Sequence, residues 1–214
     1  MKCIFLEFDN KHTVDRHVLA TLHRTLLPHS PVALLGPIFM EEFYYKDLAD
    51  LGLIFGYVVY VDEKPAGFIV ATHCPSKFMS EGIKRKWYKL IYIMLKIIII
   101  QPKRITSFIE ALQIMSKLPG SAKKDNIGEL LSFGVLPKYL KKINKNKQKC
   151  NISKELLEKA IEQLLDRKCK EIRAVVDKNN LTAKMFYHGM GWKLDKEKVE
   201  GWKVPTVQFV YKCR

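Results

Sequence analysis

Acidic residues are scarce in this chain: 22 Asp and Glu stand against 37 Lys and Arg, leaving a formal net charge of +15 over 214 residues. That shortage disfavours a polycationic partner and points to an anionic one, whether nucleic acid, a membrane surface or a polyphosphate. Cysteine pairing is missing as well. Cys3, Cys74, Cys150, Cys169 and Cys213 are odd in number and widely scattered, with no C-x-x-C spacing beside histidines. This argues against a zinc site or a disulfide framework and suits a reducing cytoplasm. The longest apolar run, Trp87 to Ile100, is fourteen residues with Lys89 and Lys96 inside it. A bilayer span needs roughly twenty. Three readings of that run stay open: a helix docked on its own domain or on a second subunit, a helix lying in the membrane interface with Lys84 to Lys86 and Lys103-Arg104 toward headgroups, or a true span. Met1 to Phe8 alternates like a strand and is not read as a signal peptide.

What is present is organised around Ile127 to Trp192. The order predicted there is a strand (Ile127 to Leu136), a Lys-rich loop (Lys138 to Lys149), an amphipathic helix (Ile152 to Arg167), a strand (Glu171 to Asp177) and a short helix (Asn180 to Gly189). Strands joined through helices imply parallel pairing, because a parallel neighbour needs a crossover. In the first of these helices Ile152, Leu156, Leu157, Ala160, Ile161, Leu164 and Leu165 form one apolar stripe.

Upstream, Lys2 to Phe8 reads as a strand and Thr13 to Leu27 as a helix, with Val14, Val18, Leu22 and Leu26 four apart. Pro37 to Leu51 reads as a second helix. Tyr57 to Asp62 and Ala66 to Thr72 read as a hairpin turning at Glu63-Lys64-Pro65. A second helix at Ile105 to Met115 is expected to form a helical hairpin with the apolar run. Lys193 to Gly201 reads as a charged turn and Val204 to Tyr211 as the last strand.

The most specific string is Val176-Asp-Lys-Asn-Asn-Leu-Thr-Ala-Lys-Met-Phe-Tyr-His-Gly-Met-Gly-Trp192. It resembles the strand and helix near the C-terminus of the GNAT superfamily of acyl-CoA-dependent N-acyltransferases. Asn180 is placed as the helix N-cap, and the resemblance puts it with Tyr187 among the cofactor-binding residues, with Ala183 against the sheet and Phe186 packing. Glu129-Leu-Leu-Ser-Phe-Gly-Val-Leu-Pro137 resembles that family's central strand. The resemblance implies an α/β fold: residues 1–214 as a single domain, a mixed, V-splayed sheet of six to seven strands, and a helical-hairpin insertion at about 74–126.

The resemblance also implies a site. Phe133, Gly134, Val135 and Leu136 match the backbone that meets the pantetheine arm of acyl-CoA, and an amide there can polarise the thioester carbonyl. Tyr187 matches the residue that protonates the departing thiolate, a role open to a phenol of pKa about 10. Glu129 lies where some members carry the general base, and an unbroken strand would keep it on the face of Val135. The family's glycine-rich pyrophosphate loop has its best register at Gln148-Lys-Cys-Asn-Ile-Ser153, with Asn151 and Ser153 standing where glycines are expected. Amides of Asn151, Ile152, Ser153 and Lys154 at the helix start would meet the diphosphate, and lysines between Lys138 and Lys149 would add attraction.

His29 and His73 are the candidates for the acceptor side of the cleft. His12, His17 and His23 read as surface or core-edge residues, and His188 as lying on another helix face from Tyr187. The reading is a direct acyl transfer from acyl-CoA to a primary amine without a metal. The amine is expected on a nucleotide-linked amino sugar, as in members encoded with bacterial surface-polysaccharide genes, with no nucleic acid partner. Alternatives are another small amine, a protein amine, or a non-catalytic CoA-binding or membrane-associated module. Peripheral membrane contact through 84–104 and a homodimer are further expectations.

Overall fold

In the computed structural model of the chain, the described residues are 2–100, 126–140, 151–199 and 204–213, without the Ile98 side chain. One seven-stranded sheet runs in the order β1-β2-β3-β4-β5-β7-β6. The strands are β1 (Cys3–Phe8), β2 (Phe55–Val61), β3 (Lys64–Thr72), β4 (Ile127–Val135), β5 (Glu171–Asp177), β6 (Lys193–Lys196) and β7 (Thr206–Lys212). β4 and β5 pair in parallel and the other neighbours pair antiparallel. The protein is therefore an α/β domain with a mixed sheet, as the strand–helix–strand pattern around Ile127 to Trp192 implies.

Helix α1 (Arg16–Leu26) opens on Asp15, whose carboxylate accepts from the amides of His17 and Val18. A short α2 (Pro31–Leu34) and then a longer helical run follow. That run starts as α3 (Pro37–Phe39), widens into a π-helical segment at Met40–Asp47 and ends as α4 (Leu48–Asp50). α1, the π segment and α5 (Phe78–Ile100) cover one face of the sheet, around a core of Leu19, Phe39, Met40, Phe43, Tyr44, Leu48, Phe68 and Ile93. α7 (Ile152–Asp166) covers the other face over Phe55, Ile69, Leu130 and Ile172, and Tyr187 of α8 (Leu181–Gly189) and Trp192 join that core. The short α6 (Pro137–Leu140) leads out of β4.

Three local expectations are corrected. The β2–β3 turn is Asp62-Glu63, both at positive φ (47° and 64°), and not Glu63 to Pro65. Two central residues at positive φ make the turn that matches the twist of a hairpin. Pro65 lies inside β3 opposite Tyr60, at a register shift. Residues 193–196, expected as part of a charged turn, form the edge strand β6 against β7. The apolar helix is longer than its apolar run, beginning at Phe78, and it kinks at Lys86, where φ is −127°. The second helix expected at Ile105 to Met115 and most of the Lys-rich loop lie outside the described residues. Among those described, no helix is long and apolar enough to cross a membrane.

Candidate functional site

The site is built on a parting of strands. Pairing between β4 and β5 runs from Ile127 opposite Glu171 to Leu130 opposite Ala174 and goes no further. Both strands continue, β4 to Val135 and β5 to Asp177. β4 stays paired with β3 as far as Val135 opposite Gly67, and β5 stays paired with β7 along its length. The sheet thus opens between the C-terminal halves of its two parallel strands.

Backbone direction at that opening follows from one bond. The Leu136 amide donates to the Ala66 carbonyl at 2.8 Å, across to β3. Backbone groups alternate sides along a strand, so the amides of Phe133 and Val135 face the opening. Gly134 faces β3, and its missing side chain makes room for Leu26 of α1, whose Cδ1 would stand 3.0 Å from an added Cβ. Of the four positions expected to meet a pantetheine arm, Phe133 and Val135 therefore offer backbone to the gap. Gly134 and Leu136 are turned to β3.

A bulge in β4 corrects the placement of Glu129. Leu130 sits opposite Ala71 and Ser132 opposite Val70, so Leu131 has no partner of its own. The extra residue reverses the alternation. Leu131 packs with the α1 face, while Leu130, Phe133 and Val135 pack with the α7 face. Ser132 reaches buried His23 on the α1 face. Glu129 therefore lies on the α1 face, opposite Val135, where even spacing in an unbroken strand would have kept the two together.

Around Glu129 the α1 face holds a buried polar group that the sequence did not disclose. The Tyr44 hydroxyl hydrogen-bonds Ser132 and lies beside the Glu129 carboxylate. His23 is fully buried, with Nδ1 2.7 Å from the Tyr45 hydroxyl and Nε2 2.8 Å from the Ser30 hydroxyl and 3.5 Å from that of Ser132. Its placement corrects the surface or core-edge expectation. Burial pushes the His23 pKa down to about 3, so the ring is neutral at physiological pH. Burial pushes the half-buried Glu129 carboxyl up to about 7, against the opposing pull of Arg173, its register partner on β5. A carboxyl near 7 is half ionised at neutral pH, which suits a general base.

The other face of the opening is aromatic. Phe133 and Phe186 have ring centroids 5.6 Å apart, which ties the end of β4 to α8. Tyr187 is buried, with its ring 5.0 Å from Trp192 and stacked on Phe209 at 5.7 Å. Burial holds its phenol above the ordinary range, so it stays protonated throughout the working pH range. Asn180 caps α8 as expected, accepting from the Ala183 amide at 3.0 Å. His188 is exposed.

At the start of α7, Asn151 is the N-cap and its side chain accepts from the Lys154 amide at 3.2 Å. That amide is therefore not open to a diphosphate. Ile152 is buried in the core and Ser153 is half-exposed; their backbone amides, in the first helical turn, are the ones a ligand could reach. The Lys154 ammonium pairs with Glu158 at 3.6 Å, and that of Lys138 lies over the Tyr139 ring at 4.8 Å. Gln148 lies outside the described residues.

The two acceptor histidines do not converge. His29 is exposed in the turn between α1 and α2, one residue from the Ser30 that bonds His23. His73 follows the end of β3 that pairs with Glu129, away from Val135, and stacks at 6.3 Å on Phe55 of the α7 face. Arg167 covers the same Phe55 ring at 3.8 Å, and burial with that nearby charge lowers the His73 pKa. β3 runs antiparallel to β4, so it ends beside the closed half of the β4–β5 pair.

The sequence model of the acetyltransferase (GNAT) family matches residues 25–192, which contain the parted strands, the bulge and α8. The chain belongs to the acetyltransferase (GNAT) family. Solved structures share its fold at low identity. Arabidopsis thaliana NAA60 in complex with acetyl-CoA superposes with a TM-score of 0.56 at 16% identity, covering 99% of this chain and 98% of that one. A Streptococcus pneumoniae acetyltransferase of the GNAT family gives 0.55 at 15%, covering 99% and 100%. The PaiA N-acetyltransferase of Thermoplasma acidophilum in complex with coenzyme A gives 0.50 at 14%, covering 100% of both. No curated protein matches the chain in sequence.

Proposed function

We propose that this GNAT acetyltransferase moves an acyl group from acyl-CoA to a primary amine held on the α1 side of the β4–β5 opening. The observation that carries the reading is the end of β4–β5 pairing at Leu130 and Ala174, with both strands continuing beyond it. Such a gap connects the two faces of the sheet. Glu129 and Tyr187, on opposite faces, can then address one substrate threaded between them.

The chemistry divides accordingly. The Val135 amide faces the gap and can donate to the thioester oxygen as negative charge develops there. Glu129, titrating near 7, accepts a proton from the incoming ammonium, directly or through water. The neutral amine adds to the carbonyl carbon, the C–S bond breaks, the Tyr187 phenol donates its proton to the departing sulfur, and the acylated nitrogen gives up its second proton, which through solvent restores the phenol. Each atom lost from the thioester is accounted for: the acyl group goes to nitrogen and the thiol leaves. The residues fit an acyl-CoA substrate at two points, the gap-facing backbone at Phe133 and Val135 and the amides of Ile152 and Ser153. No step calls for a metal.

The acceptor reading rests on charge. A chain of net +15 repels polyamines and aminoglycosides and suits an amine carried on a polyanion, such as a nucleotide-linked amino sugar. Helix α5, in the described part of the insertion, packs on that same face. Thiol release from acetyl-CoA and from longer acyl-CoA, with a panel of nucleotide-linked amino sugars, peptide amines and spermidine, tests both levels. Turnover of the amino sugar at least tenfold above the others is the expected result. Faster turnover of a peptide amine or spermidine moves the acceptor, and no thiol release with any amine overturns the transferase reading.

A further inference from the structure

Helix α5 is apolar on two opposite sides. Leu90, Ile93 and Ile97 are buried against the core that contains the π segment. The Lys89 ammonium, on the flank of that side, pairs with buried Asp47 at 2.7 Å and anchors the helix. On the far side Trp87, Tyr88, Ile91, Tyr92, Leu95 and Ile99 are exposed, Tyr92 at 64% and Ile99 at 80%. They recur at intervals of three and four residues, which makes one continuous stripe over about three turns. Isolated exposed apolar residues need no explanation, but a stripe of this size does. A helix apolar all round is normally buried on every side.

The charges around the stripe say what would cover it. Lys84, Arg85 and Lys86 stand immediately before Trp87, at the kink, and Lys96 borders the stripe further along. From Gly82 to Ile100 there is no acidic residue, and the one acid of α5, Glu81, pairs with Arg85 at 3.7 Å. A protein interface core tends to shed lysine, whereas a helix lying on an anionic bilayer keeps basic groups beside an apolar face and carries aromatics with polar tips at the headgroup level. The stripe holds one Trp and two Tyr. As described, the helix is not long and apolar enough to cross a membrane.

We propose that the exposed side of α5 docks this enzyme on an anionic phospholipid surface. The stripe enters the boundary between headgroups and acyl chains, Lys84, Arg85, Lys86 and Lys96 meet the phosphates, and Lys89 holds the helix on the enzyme.

The test is flotation of the full chain with vesicles of phosphatidylcholine containing 30% phosphatidylserine and with vesicles of phosphatidylcholine alone. The expected result is at least tenfold stronger binding to the anionic vesicles, weakened by salt. A Trp87→Ser, Tyr92→Ser double variant should lose binding tenfold with an unchanged melting temperature. Lys84→Glu, Arg85→Glu, Lys86→Glu should abolish the preference for anionic lipid while leaving thiol release without vesicles unchanged. Binding that ignores lipid charge, or survives both sets of substitutions, overturns the proposal. A dimer in solution that dissociates in the Ser variant assigns the stripe to a second copy and overturns it as well. So does absence of vesicle binding in low salt, whether or not the Ser variant melts early; early melting would place the stripe inside the folded chain.

Discussion

The two faces of β4 are made for different jobs. On the α1 face Tyr44, Ser132, His23 and Tyr45 form a hydrogen-bonded chain of polar groups sunk among apolar residues, with the Glu129 charge acting on Tyr44. On the α7 face the opening is lined by rings, with Phe133, Phe186, Tyr187, Trp192 and Phe209 in tilted, edge-to-face or stacked contact. Burial is common to both, and its effect depends on the group buried. It lifts the Glu129 carboxyl into the range of a base and lifts the Tyr187 phenol out of reach of deprotonation. One strand thus carries a carboxyl of raised pKa on one face, while its other face packs on α8, the helix that holds the buried phenol.

The largest break in this comparison comes from Glu129→Gln. Thiol release at pH 7 should fall by about 10²–10⁴-fold, the usual worth of a general base. In the unaltered enzyme, kcat/KM should rise with pH through about 7 and then level, and the Gln variant should lose that rise. Stability supplies an independent check. The carboxyl titrates near 7 folded but near 4.5 unfolded, so the native state holds more protons between those values. Stability then declines as pH rises through that window. The Gln variant should therefore gain melting temperature over the parent at pH 8 and not at pH 4.

Tyr187→Phe should cost less, about 10–100-fold in kcat, with little change in KM because the ring still stacks on Phe209. No alkaline loss of activity from this phenol is expected up to pH 10, since burial holds it protonated. Loss of both kcat and melting temperature would mean that the hydroxyl serves packing alone.

His23→Phe probes the polar face without touching substrate. It strips the Tyr45 and Ser30 hydroxyls of a partner and should cost about 2 kcal/mol. A chain of this length loses roughly 2–4 °C per kcal/mol, readable by calorimetry. His23 is held neutral in the native state, to a pKa of about 3 against 6.5 unfolded, so its share of stability fades as pH falls through that range. The Phe variant should be less sensitive to acid between pH 6.5 and 3. The smallest effect is expected from Asn180→Ala, a lost helix cap worth about 1 kcal/mol with activity kept within a few-fold.

The aromatic face was the legible one. Val176 to Trp192 carries its structure locally: an Asn that caps, a small Ala toward the sheet, and apolar spacing of a short helix. The strands Glu171 to Asp177 and Ile127 to Val135 announce themselves by β-branched and apolar runs. The polar face was not legible, because it depends on backbone irregularities that leave no local mark. Nothing in Glu129-Leu-Leu-Ser132 says that Leu131 will be the unpaired residue, and that one residue decides which face Glu129 occupies. Asp62-Glu63 lacks the glycine or asparagine that normally marks its turn. His23 sits among polar neighbours in α1, and only packing against β4 and the π segment buries it. His73 illustrates the converse: its position at a strand end was readable, but not which end of the sheet opens.

The π segment at Met40–Asp47 carries one residue more than an α-helix would fit in the same turn. Tyr44 and Tyr45 are neighbours in sequence, yet both are buried, one bonded to Ser132 of β4 and the other to His23 of α1. Removing one residue, for instance Lys46, would let the run relax into a regular helix and gain hydrogen-bond geometry. Everything after the deletion would then turn by about 100° relative to what precedes it. Asp47 would swing away from Lys89, and the helix that carries the exposed stripe would lose its anchor. A shorter and locally more comfortable chain would hold its buried tyrosine pair and its outermost helix in mismatched phase, so the surplus residue acts as the spacer that keeps the two in step.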